Sequence, residues 1–138
     1  MNQRVNSELQ KILQADPAFR AALESIGRGG ETRVTGLKGS SKALFIAALH
    51  ALTRRTVVVL CAGLDEARSL EQDAAFFAGD DAVLLMPPWD LMLPDTLSSQ
   101  KDTERERIRV LCTLIEQKPA IVVIPRAALL QRVVPRDA

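Results

Sequence analysis

Arg33-Val34-Thr35-Gly36-Leu37-Lys38-Gly39-Ser40-Ser41-Lys42-Ala43-Leu44 reads as a short strand, a glycine turn and the start of an apolar helix. That is the layout of a phosphate-binding loop. Its full form is Gly, four free positions, Gly, Lys, then Ser or Thr. Gly36 and Lys42 stand at the right separation, but Ser41 fills the second glycine slot and Ala43 the hydroxyl slot. A working loop turns successive backbone N–H groups inward around phosphate oxygens, in dihedrals that favour glycine. Gly36 and Gly39 permit this, whereas Ser41 does so only at a cost and crowds the phosphate. Lys42 has the reach for terminal phosphate oxygens, but Ala43 offers Mg²⁺ no hydroxyl ligand. Ser40 and Ser41 offer hydroxyls to a water or an anion, in a different geometry. Three readings stay open on these residues: a working nucleotide site, a decayed loop kept as scaffold, and an ordinary glycine-rich turn.

Outward from this turn the chain alternates strands and helices. Lys42 to Leu52 is a nearly all-apolar helix, expected to be buried on most sides. Thr56-Val-Val-Val-Leu-Cys61 is β-branched with no polar alternation, as expected of a central parallel strand. Leu64 to Phe77 is a helix with Asp65 and Glu66 at the positive end of its dipole. Ala82–Met86 and Ala120–Ile124 are further strands, ended by Pro87-Pro88 and by Pro125. A loop runs from Trp89 through Pro94 to about Gln100. A charged helix follows over Lys101–Glu116, with Ile108, Leu111 and Ile115 facing inward, and another helix begins at Arg126 and runs to Val133. The expected fold is therefore α/β: four strands in a parallel sheet flanked by helices, P-loop-like. Upstream, Val5, Leu9, Ile12 and Leu13 mark a helix over Ser7–Gln14. Asp16-Pro17 caps a second, whose apolar face is Phe19, Leu23 and Ile26, and Gly27, Gly29 and Gly30 stop it. Residues 1–30 are thus an N-terminal helical pair, and 31–138 the α/β subdomain.

Composition excludes more than it selects. The chain has 138 residues, enough for one cored domain, and a net charge of +1, so there is no strongly basic nucleic-acid surface. Two distant cysteines and a single His50 do not build a Cys/His zinc site. Cys61 and Cys112 read as unpaired core thiols suited to a reducing cytosol, and no segment has the apolar length of a signal peptide or a membrane span. No buried strand is followed directly by the acid that a hydrolytic nucleotide site needs, and Asp90 lies in a loop. Trp89 reads as a pin for its loop, with an interface anchor as the alternative. Asp90 and Asp95 read as loop caps rather than acid–base partners. His50 reads as a helix-end residue near Arg54 and Arg55. Lys101, Asp102, Glu104, Arg105, Glu106, Arg107 and Arg109 read as a solvated face, with phosphate binding by Arg105 and Arg109 a weaker option.

Four segments together carry a resemblance. Val34–Leu44 resembles the degenerate loop near the start of bacterial transcription-repair coupling factors. Met86-Pro-Pro-Trp89-Asp90-Leu91-Met-Leu93-Pro94-Asp95-Thr-Leu-Ser98 is similar to that family's Trp-acid…Leu-Pro-x-Asp-x-x-Ser segment. Glu104–Leu111 resembles the following Arg-x-x-x-Leu helix, and Ile121–Pro135 the Val-x-Pro…Leu-x-Gln-Arg…Pro segment. The order is the family's, from Val34 to Pro135.

The resemblance implies a RecA-like α/β subdomain with a defunct nucleotide site (Gly36, Gly39, Ser40, Ser41, Lys42), in a module related to the B subunit of the excision-repair nuclease. It further implies a fragment of a larger cytoplasmic protein, ending about where an inserted domain begins. That domain docks on the damage-sensing A subunit, while RNA polymerase and DNA are engaged by later parts of the parent. ATP and Mg²⁺ belong to the parent's motor. This chain is expected to hold no cofactor and no metal and to contact no membrane. The related B subunit engages damaged DNA through a tyrosine-rich hairpin, and this chain has no Tyr. The alternative is a small nucleotide-dependent phosphotransferase with a variant loop.

Overall fold

The computed structural model describes residues 2–89 and 97–133. Two helices open the chain, α1 (Asn2–Ala15) and α2 (Pro17–Gly27). Asp16 caps α2 through a 2.8 Å bond from the Phe19 N–H, and Pro17 takes the position whose N–H a helix leaves unpaired. Phe19 is buried and meets Phe45 edge to face, 5.3 Å between centroids, which docks the pair on the rest of the fold. Ile12, expected to face inward, is largely exposed.

The remaining elements are α3 (Ser41–Thr53), β1 (Val57–Cys61), α4 (Leu64–Ala78), β2 (Val83–Leu85), α5 (Leu97–Ile115), β3 (Ile121–Pro125) and α6 (Arg126–Leu129). A single 3₁₀ turn, Asp80–Ala82, leads into β2. Among the described residues the sheet has three strands, all parallel, in the order β1-β3-β2. Two expectations are corrected here. Residues 33–35 form no strand of this sheet. The central position belongs to β3, buried at all five residues, and not to the run Val57–Cys61, which is an edge strand. The unbroken β-branched run does state that both faces of β1 suit burial, but it does not state the strand's neighbours.

Alternate residues divide the core in two. Val57, Val59, Cys61, Val83, Ile121 and Val123 face α3 and α4, where Ala43, Ala47, Ala67 and Ala74 let the helix backbones approach the sheet. Leu84, Met86, Ala120, Val122 and Ile124 face α5 and α6 through Val110 and Ala128. Helix α3 is closed by Arg54 in a left-handed conformation whose N–H bonds the His50 carbonyl at 2.9 Å. His50 Nδ1 in turn lies 2.9 Å from the Arg55 carbonyl oxygen, a helix-end role. Only Ala43, Ala47 and Ala48 of α3 are fully buried, so the helix is less enclosed than its composition suggests.

Helix α5 corrects a second set of expectations. Its inward stripe is Arg107, Val110 and Leu114 with Leu111 at the margin, while Ile108 and Ile115 are half exposed. Cys112 is exposed and only Cys61 is a core thiol. Helix α6 is a single turn, Arg126–Leu129, shorter than the expected span to Val133.

Candidate functional site

The carboxyl ends of the strands gather the glycine turn, residues 61–63, Pro87–Trp89 and Pro125–Arg126 on one edge of the sheet, where α/β folds bind ligands. Gly36 (φ 84°) and Gly39 (φ 53°) both sit in the left-handed region and bend the chain into α3. The turn then closes on itself. The Ser41 N–H donates to the Lys38 carbonyl at 3.2 Å and the Lys42 N–H to the Gly39 carbonyl at 3.5 Å. The Ser41 hydroxyl also donates to the Lys38 carbonyl, at 2.7 Å. Donors that a phosphate cradle turns toward its ligand are here spent inside the loop. Ser40 is the N-cap residue of α3 without a side-chain cap bond, and Lys42 is exposed. Ala43, which stands where the phosphate-loop pattern has a hydroxyl, is 0% exposed and packs in the core between α3 and the sheet.

Beside this turn, at the end of β1, stands a carboxylate that sequence reading assigned to the helix dipole alone. Glu66 Oε2 accepts the Ala62 N–H at 3.1 Å, one turn back from its own position in α4. Its charge is felt at Cys61. Burial pushes the Cys61 thiol up, Glu66 pushes it further, and the Lys42 ammonium works against both. Lys42, Cys61 and Glu66 thus share one corner of the sheet edge, where the balance of burial and charge holds the thiol pKa above its ordinary value. Among the described residues no group of three or more His, Cys, Asp or Glu is placed to hold a metal, and no helix is long and apolar enough to cross a membrane.

A second knot ties the same edge. Arg107, read from sequence as part of a solvated charged face, is 3% exposed. One of its terminal nitrogens donates to the Pro87 carbonyl at 2.7 Å and approaches Gln131 Oε1 at 3.4 Å. Its guanidinium carbon lies 5.1 Å from the centroid of the Trp89 ring. Gln131 clamps the Trp89 backbone from both sides, accepting its N–H at 2.7 Å and donating to its carbonyl at 3.2 Å. The other terminal nitrogen of Arg107 is buried with no partner among the described residues, and burial lowers the pKa of the guanidinium. Trp89 therefore does pin its segment, through α5 and the chain after α6. The spacing that would have placed Arg107 inside is its position three before Val110 and seven before Leu114. Asp90 and Asp95 lie outside the described residues.

Along the far edge, beside β2, a cleft of about 650 Å³ is lined by Arg68, Glu71, Asp102, Glu106 and Arg109 among others. Burial raises the pKa of Glu71, Glu106 raises it further, and Arg68 offsets part of this. A carboxyl whose folded pKa is raised contributes stability that is full below its unfolded pKa and is lost as pH rises through the raised one. Glu71→Gln should accordingly raise the thermal midpoint at pH 7, and the gain should vanish as pH falls below about 4. Paired melting curves across that range check it.

These elements define a class: a parallel α/β module whose carboxyl edge carries a glycine turn that is closed by its own hydrogen bonds. The particular relatives are transcription-repair-coupling factors. The chain is 26% identical over 117 residues to that of Staphylococcus aureus (strain USA300), covering 85% of this chain and 10% of the relative. It is 25% identical over 122 residues to that of Bacillus subtilis (strain 168), covering 88% of this chain and 10% of the relative. The chain is thus similar to a subdomain-sized segment of these proteins and spans about a tenth of their length. No family model matches the chain, and no solved structure matches it.

Proposed function

We propose that this chain is a non-catalytic scaffold and interaction module of a transcription-repair-coupling factor, a RecA-like subdomain whose nucleotide site has decayed. The observation that carries the reading is the state of the loop within a stretch similar to those proteins. The Ser41 and Lys42 amides bond within the turn, and Ala43 is sunk in the core. Gly36, Gly39, Ser40, Ser41 and Lys42 now turn the chain into α3 rather than cradle a phosphate. The module's part in repair is to help bring nucleotide excision repair to stalled RNA polymerase. It presents an adjoining domain to the damage-sensing A subunit. ATP, Mg²⁺, DNA and polymerase engage other parts of the longer protein, an ATP-driven DNA translocase of the cytoplasm.

Titration with Mg-ATP by calorimetry tests the inactive loop. Expected is no saturable binding up to about 1 mM, a free energy no better than about −4 kcal/mol. Micromolar binding with turnover, both abolished by Lys42→Ala, would establish the phosphotransferase-like alternative instead. For the interaction role, the longer protein should capture the A subunit while residues 1–138 alone bind it weakly. Equal capture by the short chain would move the docking surface into it.

A further inference from the structure

The β2 edge of the sheet opens into the cleft between α4 and α5. The Met86 N–H bonds the Val123 carbonyl at 2.9 Å, so by strand alternation the peptide groups of Leu84 and Met86 turn to β3. Those of Val83 and Leu85 turn outward, into the cleft of about 650 Å³ that both residues help to line. Among the described residues no strand takes up these donors and acceptors.

The walls of this groove carry charge in a definite order. The three strands are parallel, and α4 and α5 connect them, so both helices run antiparallel to β2. On α4, Arg68 stands about one turn before Glu71, and on α5, Arg109 stands about one turn after Glu106. The two carboxylates therefore share the middle of the groove, with Arg68 toward the carboxyl end of β2 and Arg109 toward its amino end. Burial raises the pKa of Glu71, Glu106 on the other wall raises it further, and Arg68 offsets only part. The ion pairs among the described residues are Arg28–Glu24, Arg105–Asp102 and Lys118–Glu116. Arg68, Glu71, Glu106 and Arg109 take part in none of them, so unpaired charges of both signs flank an unpaired strand edge.

We propose that this groove docks an extended segment of a separate protein, which adds a strand beside β2 and places a basic side chain between Glu71 and Glu106 and acidic side chains toward Arg68 and Arg109. Backbone donors and acceptors along the edge supply the strand pairing, and the side-chain charges supply the choice of sequence. A cation between the two carboxylates turns their repulsion into attraction. Side chains on one face of a strand recur every 6.7 Å or so, close to the roughly 5.4 Å rise of a helical turn, so an acid-x-base-x-acid pattern follows the order of the charges. The charge also points to a partner that comes and goes rather than to a permanent strand of the sheet. A permanent inner strand is apolar on both faces, as β3 is, whereas a charged edge rejects unmatched strands and admits one of complementary sign.

Titration of the 138-residue chain with the capped peptide Thr-Glu-Val-Lys-Val-Glu-Thr, followed by NMR, tests it. The Val83 and Leu85 amides should shift and exchange more slowly, with a dissociation constant of about 1 mM or tighter at low salt. The same peptide with its central Lys replaced by Glu should bind at least about tenfold more weakly. Glu106→Lys falls at an exposed position that the fold tolerates, and it should reverse this preference. No saturable shift up to about 10 mM of the first peptide overturns the proposal. Equal binding of the two peptides, a preference that survives Glu106→Lys, or shifts confined to β1 overturns it as well. Self-association of the chain that protects the Val83 and Leu85 amides without peptide would make a second copy the occupant, and would also overturn it.

Discussion

Arg107→Ala should lower the unfolding free energy by about 2–3 kcal/mol, a loss of the size reserved for buried polar groups stripped of their partners. The substitution leaves the buried Pro87 carbonyl without its donor and removes the cation from the Trp89 face. It also empties the space of the aliphatic stem. Part of this is returned, because a buried guanidinium with one unpartnered nitrogen is itself costly. Arg107→Met keeps the stem and discards the charge, so it should cost less, on the order of 1 kcal/mol. Arg107→Lys should fall nearer Ala, since one ammonium does not reproduce the fork that reaches both Pro87 and Gln131. Urea unfolding gives the energies. Trp89 is the only tryptophan in the chain, so its emission reports the knot directly. A red shift in Arg107→Ala under native conditions is expected. An Ala variant as stable as the parent would mean that Arg107 does not tie the edge together.

Ala43→Thr should cost about 2–3 kcal/mol and restore no nucleotide binding. The substitution places a hydroxyl where the phosphate-loop pattern has one, so on sequence grounds it looks like a repair. In the fold that slot is a fully buried methyl within the cluster of Ala47, Cys61, Ile121 and Val123. Two added heavy atoms overpack it, at about 1–3 kcal/mol. The hydroxyl must find a carbonyl in the preceding turn, which relieves the cost only in part. Calorimetry with Mg-ATP should stay flat, because the Ser41 and Lys42 amides remain engaged with Lys38 and Gly39. A variant of unchanged stability that binds Mg-ATP would show a loop one residue from function.

Most element positions were legible in the residues. Asp16-Pro17 fixed the start of α2, because an acceptor side chain followed by a residue without an N–H satisfies a helix terminus locally. The three strands were visible as short β-branched or apolar runs ending in proline or glycine. The departures of Ser41 and Ala43 from the phosphate-loop pattern need no coordinates to be seen, since hydroxyl and glycine requirements belong to single residues. Arg107 was lost in a run of mixed charge, where the residue type outweighed its spacing.

What the sequence determined by itself was the α/β character, the departures of residues 41 and 43 from the phosphate-loop pattern and the likeness to the coupling factors, all carried by local chemistry and motif order. Tertiary structure alone decided that β3 and not β1 is central and that residues 33–35 stand outside the sheet. It alone sank Arg107, brought Glu66 to the end of β1 and left Val58 and Leu60 bare. The physical reason is common to all of these. A strand's apolar pattern records that both its faces suit burial, whereas its neighbours and coverings are set by segments distant in the chain.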